Sequence, residues 1–282
     1  MFAERKIAFI GPGVMAEAMV GGLIRQGVAL PEALLVAGPR PERLEQLSNQ
    51  YPGIVVIGDN AVAAQQANVV VLSVKPQRLD RVLLGLRGTL QPEALVLSIV
   101  AGATIAKIGA GLHHEMIVRS MPNTPAQIGE GITVWTASPK VTPEQQEMAR
   151  QILSALGEEI FVEEENYLDM ATALSGTGPA YVFLFMEAMV DAGVHLGFPR
   201  RIAEQLVAKT VRGSVDYYTQ RQDPVHLARL RNQVTSPGGT SAAALYYLEK
   251  AGFRTAISRA IWAAYERSQE LGRSAKSHVP DE

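Results

Sequence analysis

The fold is decided near the start of the chain, by Arg5-Lys6-Ile7-Ala8-Phe9-Ile10-Gly11-Pro12-Gly13-Val14-Met15-Ala16. Residues 5–10 are mostly apolar and predict a β-strand, and residues 14–27 carry the Ala, Met and Leu of a helix. Between them, residues 11–16 match the G-x-G-x-x-G/A pattern of a dinucleotide-binding turn, in which the helix start holds a pyrophosphate. An ordinary glycine-rich turn is the alternative. We therefore expect a cofactor to be bound by Gly11, Pro12, Gly13, Val14 and Met15.

The same pattern repeats through the first half of the chain. Apolar strand candidates alternate with helix-length segments and lie at 34–37, 54–57, 69–74, 95–100, 116–119 and 132–136. Strands that are apolar throughout predict a mostly parallel sheet covered by helices on both faces. After about residue 165, long helical patterns replace the strands, at 179–196, 200–220 and 254–271. The sequence thus predicts an α/β, Rossmann-like domain over 1–165 and an all-α domain over 166–282.

The helical pattern over 179–196 is apolar almost all round. A helix of this kind must be buried on every side. The C-terminal part is too short to cover it alone, so we expect a second copy of the chain to do so, in a homodimer or a larger homo-oligomer.

The nature of the cofactor is indicated at the end of the second predicted strand, residues 36–43. NAD-binding proteins place Asp or Glu there, whereas this chain has Gly38 followed by Arg40 and Arg43. A guanidinium suits a 2′-phosphate through bidentate hydrogen bonds. We therefore expect NADPH, with NADH possible, and Arg40 as a cofactor-binding residue; the alternative is that both arginines lie on a solvated helix face.

Other strand ends face the same predicted crevice, because ligands of parallel sheets bind at the carboxyl ends of the strands. Lys75 has two open interpretations, as a catalytic acid of a hydroxyacid dehydrogenase or as a turn residue before a proline. Asn123, in a loop with two prolines, offers donors and an acceptor near the crevice. By position, the further cofactor-lining candidates are Asn60, Ser73, Val74, Lys75, Pro76, Ile99, Ala101 and Gly102.

Two glycine-rich joints interrupt the helical part, at Ser175-Gly176-Thr177-Gly178-Pro179 and Thr235-Ser236-Pro237-Gly238-Gly239-Thr240-Ser241. The second joint precedes an Ala-rich helix, 242–248. Free N–H groups at a helix start, together with hydroxyls, form a nest for a small anion such as a carboxylate. Plain helix capping by Ser or Thr explains the same residues equally well.

Composition excludes several classes of protein. The chain has 282 residues, of which 47% are hydrophobic and 19% charged, with a net charge of -2. Nucleic-acid binding is not expected from this charge balance. The absence of cysteine removes disulfides and thiolate metal sites, and the five histidines lack paired ligand spacing, so no metal is expected. We expect a cytoplasmic protein without a membrane span.

With these motifs identified, the sequence resembles the pyrroline-5-carboxylate reductases over essentially its whole length. The matching motifs are GPGVMA, SVKP at 73–76, RSMPNTP at 119–125, ALSGTGPAYVF at 173–183 and QVTSPGGTSAAALYYLE at 233–249. The resemblance implies reduction of L-1-pyrroline-5-carboxylate to L-proline with NAD(P)H, the last step of proline biosynthesis. It also implies a helical domain that interlocks between two subunits.

The resemblance further implies that the segment over 236–241 holds the substrate carboxylate and that Ser241 orients the imine, where the family usually has Thr. The stretch 223–233 is a few residues longer than is usual in this family. A hydroxyacid or 6-phosphogluconate dehydrogenase-like enzyme and a non-catalytic NADP sensor are the rival interpretations. The residues expected to bind substrate are Ser236, Gly238, Gly239, Thr240, Ser241 and Asn123, with Ser241 catalytic.

Overall fold

A computed structural model of the chain describes residues 5–221 and 223–273. The chain divides into two compact units. The first unit combines residues 5–177 with 263–273 of the described chain, and the second is Gly178–Trp262.

The described part of the first unit contains a single eight-stranded sheet. Its strands are β1 (Ile7–Ile10), β2 (Leu34–Ala37), β3 (Val55–Ile57), β4 (Val69–Leu72), β5 (Leu95–Ser98), β6 (Ile117–Met121), β7 (Gly131–Ala137) and β8 (Gly157–Phe161). Their spatial order is β3-β2-β1-β4-β5-β6-β7-β8. Neighbours are parallel except β6 and β7, which are antiparallel. The predicted α/β class with a mostly parallel sheet is confirmed.

Helices connect most of these strands. They are α1 (Val14–Arg25), α2 (Pro41–Gln50), α3 (Asn60–Gln65), α4 (Leu79–Leu86), α5 (Ile105–Leu112), α6 (Pro143–Ser154) and α7 (Tyr167–Ala171). Helix α6 begins with a capping box, in which the Thr142 hydroxyl accepts from the Gln145 amide and the Gln145 side chain accepts from the Thr142 amide. Pro143 occupies the first helical position, in agreement with the run Thr142-Pro143-Glu144, which predicts a helix start because Thr is a favoured N-cap residue and Pro is favoured at the first helical position.

Both faces of the sheet are buried. Successive strand residues point to opposite faces, so Phe9 packs in one hydrophobic cluster and Ile10 in the other. The first cluster contains residues of α1, α2 and α6, and the second contains residues of α3, α4 and α5. This arrangement accounts for strands that are apolar at every position.

Strand β8 is missing from the sequence-based prediction. Its residues include two glutamates, and it lies at the sheet edge with Ile160 49% and Phe161 44% exposed. Tertiary contacts support it: the Trp135 ring meets Phe161 edge-on at 4.8 Å between centroids, and Trp135 Nε1 donates to Glu159 Oε2 at 2.5 Å. A charged edge strand has no continuous apolar run to reveal it.

The second unit is helical. It contains α8 (Gly178–His195), α9 (Arg200–Thr219), α10 (Leu227–Gln233) and α11 (Thr240–Lys250), and α12 (Phe253–Arg273) begins in it and ends in the first unit. The helices expected at 179–196, 200–220, 242–248 and 254–271 are thus present. Helices α8 and α9 pack together through Val190, Ala203 and Val207, which are the buried apolar residues in the described part of this unit.

Most apolar side chains of α8 are exposed. Phe183 is 61% and Leu184 66% exposed. The stretch Tyr167–His195 is long and apolar enough to cross a membrane by length and composition, although the sequence predicts no span. One such helix is weak support for a membrane protein, because core helices of soluble proteins pass the same test.

By contacts, the first compact unit runs to residue 177 and also includes residues 263–273 of the described chain, whereas the sequence-based boundary between a cofactor-binding and a helical domain is at 165. The physical reason lies in buried ion pairs and hydrogen bonds. Arg119 of β6 pairs with Glu165 and Asp169, and Asp169 accepts a hydrogen bond from Ser268 of α12. Residues beyond the last apolar strand are therefore tied to the sheet.

Candidate functional site

The glycine turn lies where the strand order reverses, between β1 and β4. Gly11 has a φ of +104°, and a Cβ there would lie 2.7 Å from Val74 Cγ1 and 2.9 Å from the Ser73 carbonyl oxygen. Only glycine fits this approach of the two strand ends. The reversal point is where parallel sheets of this class bind ligands.

Helix α1 presents uncommitted amides at this point. Its first intrahelical bond runs from the Glu17 amide to the Gly13 carbonyl at 3.0 Å. The amides of Val14, Met15 and Ala16 therefore have no acceptor within the helix. The arrangement fits a diphosphate, which takes amide donors and benefits from the helix dipole.

Backbone hydrogen bonds bring the predicted cofactor residues to one edge of the sheet. The Gly38 amide donates to Ile57, the Gly11 amide to Ala37, the Ser73 amide to Ile10, and the Ile99 amide to Leu72. The loops that carry the candidates after strands β1, β4 and β5 are thus adjacent. Asn60 follows β3 at the same edge.

Ser73 and Lys75 differ in what they offer a ligand. The Ser73 hydroxyl donates to the Ile10 and Gly11 carbonyls, at 3.0 and 2.9 Å, so it holds the turn. Lys75 is exposed and precedes the short 3-10 turn Pro76–Arg78. No ion pair joins Lys75 to the described part of the chain, which leaves its ammonium available to a ligand.

Asn60 has an unfilled acceptor. Its Oδ1 is buried and has no hydrogen-bond partner among the described residues. Asp59, rather than Asn60, caps α3 by accepting from the Ala61 amide at 2.7 Å. A ligand hydroxyl at this strand end would satisfy Asn60 Oδ1, which is an observation in favour of a bound nucleotide.

Gly102 is packed against the end of α12. Its φ is +73°, and a Cβ would lie 2.9 Å from Leu271 Cβ and 2.9 Å from the Ser268 carbonyl oxygen. The predicted cofactor-lining segment with Ile99, Ala101 and Gly102 is therefore supported from behind by the last turns of α12.

The two arginines after β2 have different surroundings. Arg40 is exposed at the start of α2, and its side chain makes no hydrogen bond or ion pair to the described residues. Arg43 is not solvated, because it donates to the Pro12 carbonyl at 3.0 Å and pairs with Glu17. The open alternative for Arg43 is thus wrong, and Arg40 alone has a free guanidinium.

Asn123 already uses its side-chain oxygen. The residue is buried, and its Oδ1 accepts from the Ile132 amide at 3.0 Å. That bond closes the loop between β6 and β7. Its sequence position signals the loop but not this internal partner.

A buried charge cluster in the first unit was not predicted. Arg119 is 3% exposed and pairs with Glu165 at 3.0 Å and Asp169 at 2.7 Å. Glu165 also accepts from the Ile105 amide at 2.7 Å, and Asp169 accepts from the Ser268 hydroxyl at 2.8 Å. The Arg in RSMPNTP was the only available signal, because its acidic partners follow about fifty residues later.

The two glycine-rich joints are distinguished by their hydroxyls. In the first joint, Ser175 donates to the Ala171 carbonyl and Thr177 to the Thr172 carbonyl, so these hydroxyls serve the local helix. In the second, Thr235 donates to the Arg231 carbonyl. No hydrogen bond to a described residue is made by the hydroxyls of Ser236, Thr240 and Ser241.

Helix α11 begins directly after this second joint. Its first bond runs from the Ala243 amide to the Gly239 carbonyl, so the amides of Thr240, Ser241 and Ala242 lack acceptors within the helix. Gly238 has a φ of +71°, and a Cβ on Gly239 would lie 2.6 Å from Ser236 Oγ. The segment combines free hydroxyls with free amides, as an anion nest requires.

The metal-ligating residue types do not cluster. Within residues 5–221 and 223–273, no group of three or more His, Asp or Glu side chains is arranged to hold a metal ion.

Comparisons with known proteins agree on one family. A family model described as pyrroline-5-carboxylate reductase dimerisation matches residues 165–271, and one described as NADP oxidoreductase, coenzyme F420-dependent, matches residues 6–102. The pyrroline-5-carboxylate reductase of Synechocystis sp. is 44% identical over 95% of this chain and 98% of its own. That of Pseudomonas aeruginosa is 41% identical over 94% and 96%.

A solved structure extends the likeness to three dimensions. The crystal structure of Plasmodium falciparum pyrroline carboxylate reductase with NADP bound has a TM-score of 0.87 and 32% identity. It covers 95% of this chain and 98% of the other.

Proposed function

The chain belongs to the pyrroline-5-carboxylate reductase family, and on this premise we propose that it reduces L-1-pyrroline-5-carboxylate to L-proline with NADPH. This reaction is the last step of proline biosynthesis. The observation that carries the proposal is the start of α11, where hydroxyls and helix-start amides are uncommitted together. A cyclic imino acid carries the carboxylate that such a helix start attracts.

The residues present fit NADPH. We propose that the Gly11–Met15 turn binds the diphosphate and that Arg40 binds the 2′-phosphate. Asn60 and the loops with Ser73–Pro76 and Ile99–Gly102 would line the remainder. The unfilled Asn60 Oδ1 and the absence of a carboxylate at Gly38 support this assignment. NADH, which lacks the 2′-phosphate, would bind more weakly.

Substrate binding is assigned to residues 236–241. The amides of Thr240 and Ser241 would bind the carboxylate, and the Ser241 hydroxyl would hydrogen-bond the ring nitrogen or the carboxylate. The glycines at 238 and 239 allow the backbone to approach. For Asn123, the side-chain nitrogen can donate to substrate, whereas Oδ1 already accepts one hydrogen bond, from the Ile132 amide.

Hydride transfer to this imine needs few catalytic groups from the protein. When bound, the reduced nicotinamide supplies a hydride, and the imine nitrogen carries a proton. A protonated imine is already electrophilic at carbon, so alignment is the main requirement. Ser241 would orient the imine, and Lys75 need not donate a proton.

We propose that the enzyme works in the cytoplasm as a homodimer or larger homo-oligomer, with residues 1–165 binding cofactor and 166–282 binding substrate and the second subunit. The dimerisation-domain match over 165–271 and the exposed apolar surface of α8 support the assembly.

Turnover with pyrroline-5-carboxylate tests the function. We expect NADPH oxidation with this imine and no NADP+ reduction with a panel of hydroxyacids. Ser241→Ala should lower kcat/KM about tenfold, since one hydrogen bond that strengthens in the transition state is lost. Ser241→Thr should stay active, and fluorescence titration should show unchanged NADPH affinity.

The matched control is Ser214→Ala, which removes a hydroxyl that only bonds the Thr210 carbonyl within α9. It should leave turnover unchanged. Turnover of hydroxyacids in place of the imine would favour a dehydrogenase, and cofactor binding without any turnover would favour a sensor. If Ser241→Ala lowers only the melting temperature, Ser241 has a structural and not a catalytic role.

A further inference from the structure

Arg43 has all three of its nitrogens engaged. From α2, Nε donates to the Pro12 carbonyl at 3.0 Å, Nη1 donates to Gln46 Oε1 at 2.7 Å, and Nη2 pairs with the Glu17 carboxylate. The Arg43 and Glu17 side chains are only 17% and 24% exposed. This guanidinium is therefore fixed rather than free to follow a ligand.

Pro12 is the centre of the glycine turn, and Arg43 reaches its carbonyl from one side. On another side, a Cβ on Gly38 would lie 2.4 Å from Pro12 Cδ, so the backbone after β2 is in direct contact with the proline ring. The turn is thus held between Gly38 and Arg43. Its position determines where the amides of Val14 and Met15 meet a diphosphate.

Glu17 lies in the first turn of α1, beside those amides. A carboxylate at a helix start competes with a bound anion for the same positive potential. The Arg43 guanidinium neutralises it. The Glu17 charge also affects the nearby Tyr51. Burial raises the pKa of the Tyr51 phenol, and the negative charge of Glu17 raises this pKa further.

We propose that Arg43 is a positioning residue for the cofactor: it fixes the Pro12 turn and cancels the Glu17 charge, so that the diphosphate common to NADPH and NADH can bind. The inference rests on the proposed function only for the identity of the cofactor. The proposal gives the two arginines different roles. Arg40 would affect the binding of NADPH alone, whereas Arg43 affects the binding of both cofactors.

Fluorescence titration with NADPH and with NADH, without substrate, tests this separation. We expect Arg43→Met to weaken both cofactors about tenfold, as an uncompensated charge at a helix start can. The double variant, Glu17→Gln with Arg43→Met, should bind both cofactors more tightly than Arg43→Met alone. On a logarithmic scale of affinity, it should regain more than half of what Arg43→Met loses. Arg40→Ala is the matched control and should weaken NADPH only.

The single variant Glu17→Gln tests the charge argument with Arg43 still in place. It should leave the affinity for both cofactors equal or higher, since only negative charge is removed from the anion site. Weakening of both cofactors by this variant would overturn the charge argument. Loss of NADPH alone in Arg43→Met would show that Arg43 binds the 2′-phosphate directly, and failure of the double variant to recover would also overturn the proposal.

Melting temperatures establish that each variant is folded, and Arg43→Lys supplies a conservative substitute that retains the charge. It should bind both cofactors more tightly than Arg43→Met. An Arg43→Lys variant no better than Arg43→Met would overturn the neutralising role. Because these titrations contain no imine, an enzyme that fails to reduce pyrroline-5-carboxylate but gives the expected affinities contradicts the proposed function alone.

Discussion

The two units of this chain use their apolar residues in opposite ways. In the first, strand residues such as Ile7, Phe9 and Val71 are fully buried, and even a charged residue, Arg119, is buried and paired with two carboxylates. In the helical unit, the buried apolar residues of the described chain are Val190, Ala203 and Val207. Large side chains of α8 and α11 remain at the surface.

The difference indicates where each unit obtains its stability. A sheet with helices on both faces completes its core within one copy. Four helices and part of a fifth, with so small a buried cluster, expose an apolar surface that is typical of an interface. The first unit therefore completes its core within one copy of the chain, whereas we expect the second to complete its core against a partner.

The largest expected effect comes from breaking the self-contained core at Arg119. Arg119→Met leaves the Glu165 and Asp169 carboxylates without their cation, and we expect a loss of about 3 kcal/mol in unfolding free energy. Denaturant unfolding followed by Trp135 fluorescence, in a Trp262→Phe background, would measure it. Arg150→Met removes an exposed ion pair with Glu147 and should change little. Equal midpoints for Arg119→Met and Arg150→Met would contradict the comparison.

The next effect is at the apolar surface of the helical unit. Leu184→Glu, on α8, should raise the dimer dissociation constant about a hundredfold, because a charge would be buried without a partner. Light scattering over a dilution series would detect the monomer. Leu84→Glu on α4 is the matched control, since Leu84 is 67% and Leu184 66% exposed. A dimer that survives Leu184→Glu and dissociates with Leu84→Glu would place the interface on the first unit.

The smallest effect is local to the first unit. Thr142→Ala removes the capping hydroxyl of α6 and should cost about 1 kcal/mol. Thr142→Ser keeps the hydroxyl and should cost less. The Trp135 unfolding transition measures both, while NADPH affinity and dimer dissociation should stay unchanged. A change in dimer dissociation with Thr142→Ala would show that the two units do not acquire stability separately.

Much of the fold could be predicted from the sequence because its signals are local. The glycine turn, the strands that are apolar throughout and the Pro143 helix start each lie within a few consecutive residues. Strand β8 could not be predicted, because its stabilising side-chain contacts are made with Trp135 on the neighbouring strand β7. An edge strand with two glutamates has no pattern of its own.

The site shows the same division. The candidates at Gly11, Ser73 and Asn60 follow from strand ends, which sequence periodicity locates. The partners of Arg43 and Asn123 could not be predicted, because Glu17 and Ile132 are assigned only once the chain is folded. Sequence spacing likewise cannot tell satisfied hydroxyls, such as Ser175, from free ones, such as Ser241.

The return of α12 to the first unit has a consequence for how the protein is made. Asp169 accepts a hydrogen bond from Ser268, which lies 99 residues later in the chain, and Gly102 packs against Leu271. A ribosome must therefore deliver nearly the whole chain before the N-terminal half can complete its packing. The first unit therefore cannot complete its packing during synthesis of its own N-terminal residues, as a domain formed by one continuous early segment can.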